Sequence, residues 1–178
     1  MVKFDLDDAH PDYQRDIPEI LAPLVERYPG VMLRSVSLYR PERGDTSMGS
    51  TTEDGDIRLN FRWFSLPSSE LNQASRHHHV VVVDDVPIGW HGPMIDEPEH
   101  CLVHEFGHAA WYSLPRHVIE PWASTRWSAA TRQPHAAPSG YALVNCEEFF
   151  GEMFALVHLG LATDEEVEDM ADLVGRLR

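Results

Sequence analysis

The sequence predicts an α+β fold in which a small sheet precedes a run of helices. Strand-like segments fill much of the first half of the chain, and segments with helical periodicity dominate the second half. Strands that come before helices, rather than alternating with them, are typical of this class. A length of 178 residues favours one domain, spanning 1–178, because domains cluster near about 100–200 residues.

The composition is acidic and disfavours two classes of partner. Asp and Glu number 29 against 14 Lys and Arg, giving a net charge of −15. Such a field repels phosphate groups and anionic lipid, so we expect no nucleic-acid partner and no membrane partner. The N-terminus has acidic residues where a signal peptide needs basic ones. A cytoplasmic location is the default expectation, and export by another route stays open.

The first half of the chain contains one predicted helix and three predicted strands. Apolar residues recur at helical spacing after His10, and Pro29-Gly30 ends that segment. Segments with β-type composition or alternating polarity predict strands, and they lie at 31–40, 57–63 and 79–83. The polar, Gly-rich stretch 41–55 is predicted to be a loop.

Three helices and one long connection are predicted in the second half. A helix is expected from Pro98 to about Ser113, and another over Asn145–Leu159. Thr163 with Glu166 forms a capping box that begins the last helix. The stretch 114–140 contains four prolines and is predicted to be an ordered but irregular connection.

The most informative segment is His104-Glu105-Phe106-Gly107-His108. On a helix, residues four apart lie on one face, so both imidazoles can reach one ion. Zinc accepts imidazole nitrogen, and a catalytic zinc site uses three protein ligands and a water. Glu105 is placed to take a proton from that water as general base. Gly107 weakens the helix, which predicts a close approach by another element.

A third ligand must come from elsewhere, and the helix over Asn145–Leu159 offers three glutamates. Glu148 and Glu152 share one face, whereas Glu147 points about 100° away. If Glu148 binds a metal, Glu152 is placed to contact the free nitrogen of a ligand histidine. Glu147 is interpreted as a charge that suits the N-terminal end of the helix dipole.

The two motifs together resemble a known family. The run Tyr141-Ala-Leu-Val-Asn-Cys-Glu-Glu148-Phe-Phe-Gly-Glu152, following an HEFGH helix, looks like the catalytic domain of anthrax lethal factor and the Pro-Pro endopeptidases. These proteins are gluzincin metalloproteases. The resemblance covers about residues 77–162 and implies a zincin-like domain, with a twisted sheet packed on the HExxH helix.

The resemblance also implies roles for individual residues. His104, His108 and Glu148 would bind one catalytic Zn²⁺, and Glu105 would be the general base. Tyr141 would stabilise the oxyanion through its phenol, and Glu152 would support a ligand histidine. The implied activity is zinc-dependent endopeptidase hydrolysis of a peptide or protein substrate.

Several alternatives stay open at this stage. The strand 79–83 is interpreted as an edge that can pair with an extended substrate, and His77–His79 as its solvated end. A zinc-bound, non-catalytic protein-binding module is the main alternative function. A chance HExxH pattern in an interaction domain is a second one. Cys101 and Cys146 are expected to be two buried free thiols, with a disulfide or a thiolate switch as the alternative.

Overall fold

A small mixed sheet and a set of helices form the architecture of this chain. The computed structural model describes residues 1–74, 81–83, 86–88 and 96–178. The strands are β1 (Lys3–Asp5), β2 (Ser35–Tyr39), β3 (Gly49–Thr51), β4 (Asp56–Asn60), β5 (Val81–Val83) and β6 (Val86–Ile88). The α-helices are α1 (Pro11–Arg27), α2 (Phe61–Phe64), α3 (Ser68–Ala74), α4 (Glu97–Ser113), α5 (Arg116–Arg132), α6 (Cys146–His158) and α7 (Asp164–Val174). Mixed helix and sheet of this kind are compatible with the predicted α+β class.

The main sheet has the order β1-β2-β4-β3. β1, β2 and β4 are parallel, and β3 pairs antiparallel with β4 at the edge. β5 and β6 form a separate antiparallel pair. The edge strand β3 contacts α4, so the sheet presents its antiparallel edge to the helix that carries the HExxH motif.

The core lies between the sheet, α1, α4 and the later helices. α1 buries Tyr13, Ile17, Leu21 and Leu24 at helical spacing, as its periodicity predicts. His10 accepts a bond from the backbone N–H of Asp12 at the start of this helix. The helix tolerates Pro18 and Pro23 in its interior, because the buried face supplies stability that helix propensity alone does not.

Two glycines allow α4 and α6 to approach closely. A Cβ on Gly107 would lie 3.2 Å from Cα of Gly151 and 3.1 Å from Cβ of Phe154. Backbones can come this close only where side chains are missing. The close approach predicted from Gly107 is thus confirmed, and its partner is α6.

The prediction of an irregular connection over 114–140 is wrong in most of its length. Residues Arg116–Arg132 form the regular helix α5. Pro115 lies at its N-cap and Pro134 follows its end, positions where proline is compatible with a helix. Only Pro121 lies inside the helix. Trp122 packs on α6, with its ring centroid 5.8 Å from that of Phe150, and this packing holds the helix in place.

One strand prediction and one loop prediction in the first half need correction. The predicted strand 57–63 ends at Asn60, whose side chain accepts a bond from the N–H of Arg62 and begins α2. The alternation of apolar and polar residues continues through Trp63, beyond the point where Asn60 caps a helix, so it does not mark the end of the strand. The predicted loop 41–55 contains β3, a short strand whose pairing with β4 has no local sequence signal.

Other predictions are confirmed. The strand expected at 31–40 is confirmed over Ser35–Tyr39, which form β2. The capping box of Thr163 and Glu166 begins α7. The residues of the predicted strand 79–83 that belong to the described part form β5, whereas His77–His79 lie outside the described residues. Cys101 and Cys146 are free thiols as expected; Cys101 is buried, but the expectation of burial is wrong for Cys146, which is partly exposed. Among the described helices, none combines the length and apolar character needed to cross a membrane.

Candidate metal centre

Helix α4 places three histidines on one face at intervals of four residues. The helix begins at the N-cap Asp96, whose side chain accepts from the N–H of Glu99, and Pro98 follows in the first turn. His100, His104 and His108 are all buried, at 2%, 5% and 6% exposure. Buried histidines require polar partners, and these partners come from α6.

Helix α6 supplies the carboxylates. Its N-cap residue Asn145 accepts bonds from the N–H groups of Glu147 and Glu148, each at 2.8 Å. This cap fixes the first turn of the helix, where Glu148 lies. Glu152 follows one turn later and is fully buried. The two glutamates thus face α4 at successive levels of the helix pair.

Three of these side chains converge on one point. Nε2 of His104 lies 3.0 Å from Oε2 of Glu148, and Nε2 of His108 lies 3.3 Å from the same oxygen. Ligand atoms bound to one zinc ion at about 2.0–2.1 Å in a tetrahedron lie about 3.3 Å from each other. The donor set and its spacing therefore fit a divalent metal ion of the zinc type.

A second carboxylate, that of Glu152, lies close to Nδ1 of His104. Oε1 of Glu152 lies 2.9 Å from Nδ1 of His104 and 3.4 Å from Nε2 of His100. This contact between Glu152 and a motif histidine is the one predicted from the sequence. His100, His104 and Glu152 also form a group whose ligand atoms lie within 4.8 Å of one another.

Glu147 lies in the first turn of α6, where its charge suits the helix dipole as expected, and it also contacts α4. Its Oε1 lies 3.5 Å from Nδ1 of His108 and accepts a short hydrogen bond from the phenol of Tyr112. On the helix, the Cα–Cβ bond of Glu147 points to one side of that of Glu148. The side chain still reaches α4, because a glutamate side chain is long. Nδ1 of His108 therefore lies close to a carboxylate, that of Glu147.

The electrostatics of the cluster favour positive charge. Burial lowers the pKa of His104, but contacts with Glu148 and Glu152 outweigh burial and raise that pKa to about 10. Burial raises the pKa of Glu148, and the hydrogen bonds with His104 and His108 outweigh it and lower the pKa to about 2. The negative charges of Glu148 and Glu152 therefore stabilise a cation at this position.

Glu105 lies between the two motif histidines and faces the edge strand. The hydroxyl of Thr51 lies 2.7 Å from its Oε2 and 2.9 Å from its backbone oxygen. A Cβ on Gly49 would lie 2.8 Å from Oε1 of Glu105. Strand β3 therefore holds one carboxylate oxygen and leaves room for the other. The charge of Glu105 helps to raise the pKa of both His104 and Tyr141, so it lies within electrostatic reach of the cluster.

Tyr141 lies against the same cluster. It begins a short 3-10 helix, Tyr141–Leu143, immediately before α6. Its ring centroid lies 5.8 Å from that of His104. Burial and the nearby charges of Glu148 and Glu105 raise the pKa of its phenol. The phenol therefore keeps its proton at neutral pH and is a hydrogen-bond donor, with Glu148 as its partner here.

Several residues that shape this cluster lie outside the motifs recognised in the sequence. A Cβ on Gly151 would lie 2.8 Å from Cε1 of His104, so this glycine makes room for the ring. Thr51 lies in a segment that was predicted to be a loop. His100 continues the four-residue spacing of the histidines, and that spacing was a visible signal.

No family model matches the chain, and the comparisons with curated proteins and with solved structures return no match.

Proposed function

We propose that this chain is a zinc-dependent endopeptidase with a zincin-like fold of the gluzincin type. One observation carries the proposal: Nε2 of His104, Nε2 of His108 and Oε2 of Glu148 converge from two helices on one point. Two histidines and one glutamate are a donor set of catalytic zinc sites in hydrolases. His104, His108 and Glu148 would hold the ion.

Glu105 and Tyr141 support a catalytic rather than a structural site. A bound ion of this type polarises a water molecule and a substrate carbonyl. Glu105 would accept the proton of the attacking water on its carboxylate, which the hydrogen bond from Thr51 to Oε2 holds in place. The same carboxylate would then deliver the proton to the leaving amine. Tyr141 would donate a hydrogen bond to the carbonyl oxygen as it gains negative charge.

Strand β3 is the edge we favour for the substrate. In the described part of the chain it pairs with β4 alone, and Thr51 on this strand contacts the proposed base. An extended peptide added to this edge would pass beside Glu105. The 79–83 segment stays a second possibility, since β5 belongs to a separate strand pair. A net charge of −15 favours peptides that are neutral or basic.

The test combines metal analysis with cleavage profiling of a diverse peptide library. Metal content is measured by mass spectrometry for wild type, Glu148→Ala and Glu105→Gln, with the exposed Glu168→Gln as matched control. We expect one zinc per chain in wild type, Glu105→Gln and Glu168→Gln, and its loss in Glu148→Ala. We expect cuts from wild type and Glu168→Gln only.

Each other outcome contradicts part of the proposal. A wild-type chain that binds no zinc would show that the His–Glu cluster is not a metal centre. Zinc without any cleavage would favour the non-catalytic protein-binding module. Equal cleavage by Glu105→Gln and wild type would place the active site elsewhere.

A further inference from the structure

The contacts between α4 and α6 repeat themselves one helical turn apart. At the outer level, Glu148 lies between His104 and His108. At the inner level, Glu152 lies between His100 and His104. His104 belongs to both levels, because its Nε2 lies 3.0 Å from Glu148 and its Nδ1 lies 2.9 Å from Glu152. The two levels differ in access, because Glu152 is fully buried whereas Glu148 is partly exposed.

We infer that His100 is a positioning residue of the metal centre, which acts through Glu152 on His104. This inference rests on the proposed metal site at His104, His108 and Glu148. His100 lies outside the HExxH motif and contributes no ligand to that site. Its Nε2 lies 3.4 Å from the same Glu152 oxygen that lies 2.9 Å from Nδ1 of His104.

The chemistry of a neutral imidazole explains why this matters. The ring has one N–H, and a metal at Nε2 requires that the N–H be at Nδ1. A carboxylate facing Nδ1 selects this tautomer and makes the ligand nitrogen more basic. Glu152 performs this function only while its carboxylate stays in place beside Nδ1. A fully buried carboxylate is costly unless polar groups surround it, and His100 is one of those groups.

A second metal ion at the inner level would need different chemistry. His100, His104 and Glu152 have the ligand types and the spacing for an ion. His104 would then have to lose its remaining N–H and bridge two ions. The inner donors are also more deeply buried than the outer set. We therefore assign the inner level to positioning rather than to a second metal.

The experiment measures Zn²⁺ affinity by competition with a chromophoric chelator and Co²⁺ coordination by visible absorption. The variants are His100→Leu, His100→Gln and the exposed control His117→Leu. We expect His100→Leu to weaken Zn²⁺ binding about 10–100-fold and to change the Co²⁺ spectrum. His100→Gln retains an N–H donor toward Glu152 and should recover most of the affinity. His117→Leu should leave both readouts unchanged.

Thermal unfolding of the metal-free variants separates positioning from simple loss of structure. A folded His100→Leu chain with wild-type Zn²⁺ affinity would overturn the inference and leave the proposed function intact. Two zinc ions per wild-type chain, falling to one in His100→Leu, would overturn it in favour of a second metal site. A wild-type chain without metal affinity would overturn both the proposed function and this inference.

Discussion

Two histidines of this protein lie against α6 in opposite environments. His104 is surrounded by carboxylates, with Tyr141 beside it. His158, near the end of α6, stacks on Phe154 at 4.0 Å between ring centroids and shares a 2.7 Å hydrogen bond with the phenol of Tyr28. The pKa of His104 is raised to about 10, and that of His158 is lowered to about 4.

The comparison separates two kinds of environment for a buried histidine. Burial lowers the pKa of both rings, and only His104 has carboxylates that reverse the effect. Nδ1 of His158 lies 2.7 Å from the backbone oxygen of Phe154, so Nδ1 donates and Nε2 accepts from Tyr28. His158 thus completes the hydrogen bonding of the core, whereas the environment of His104 favours a cation.

The largest expected effect is that of Tyr141→Phe on the proposed activity. Loss of an oxyanion donor costs about 10²–10³-fold in kcat, and zinc content should stay at the wild-type level. Steady-state kinetics on a peptide identified by library profiling measures this effect. Wild-type kcat in Tyr141→Phe would show that the phenol only packs against His104.

Acid should destabilise the fold through His158. Its folded pKa of about 4 lies below the ordinary value of about 6.5, so the unfolded chain takes up the proton first. The stability that the neutral ring provides is present above about pH 6.5 and falls as the pH drops toward 4, by roughly 2–3 kcal/mol.

Denaturant unfolding across this pH range compares wild type with His158→Gln, and the exposed His117→Gln is the control. The difference in unfolding free energy between wild type and His158→Gln should shrink as the pH falls. A difference that stays constant from pH 7 to 4 would contradict the assignment of a buried neutral ring.

Gly151→Ala should disturb the metal side of the comparison. The new Cβ would lie 2.8 Å from the His104 ring, and such overpacking costs about 1–3 kcal/mol. We expect weaker zinc binding together with this loss of stability. Gly175→Ala is the matched control, because a Cβ there has open space. Equal zinc affinities in the two variants would show that His104 adjusts freely.

The smallest expected effect is that of Tyr28→Phe on the free energy of unfolding. Removal of the phenol leaves Nε2 of His158 without this donor and should cost about 1 kcal/mol. Denaturant unfolding measures it. Zinc affinity should not change, and a change would mean that the two histidines are coupled through α6.

The motif residues were predictable because their signals are local. The spacing of His104 and His108 and the capping box of α7 each follow from a few neighbouring residues. Local sequence signals do not predict features that depend on contacts between residues far apart in the chain. Thr51 reaches Glu105 only because β3 pairs with β4, and α5 is held by the contact of Trp122 with Phe150.

The reach of Glu147 illustrates a second limit. Its position on the helix was read correctly, but the length of its side chain brings it to His108 and Tyr112. Angular position on a helix describes Cβ atoms, and long side chains deviate from it. The partners of glutamates near such a site therefore follow from the three-dimensional arrangement.

The cap of α6 has a kinetic consequence. Glu148 lies in the first turn of that helix, where one amide oxygen of Asn145 accepts two backbone N–H groups. Helix ends open more often than helix interiors. Opening of this turn would withdraw one ligand while His104 and His108 stay on α4. The residence time of a bound ion would then follow the opening rate of the α6 end, and Asn145→Ala would shorten it.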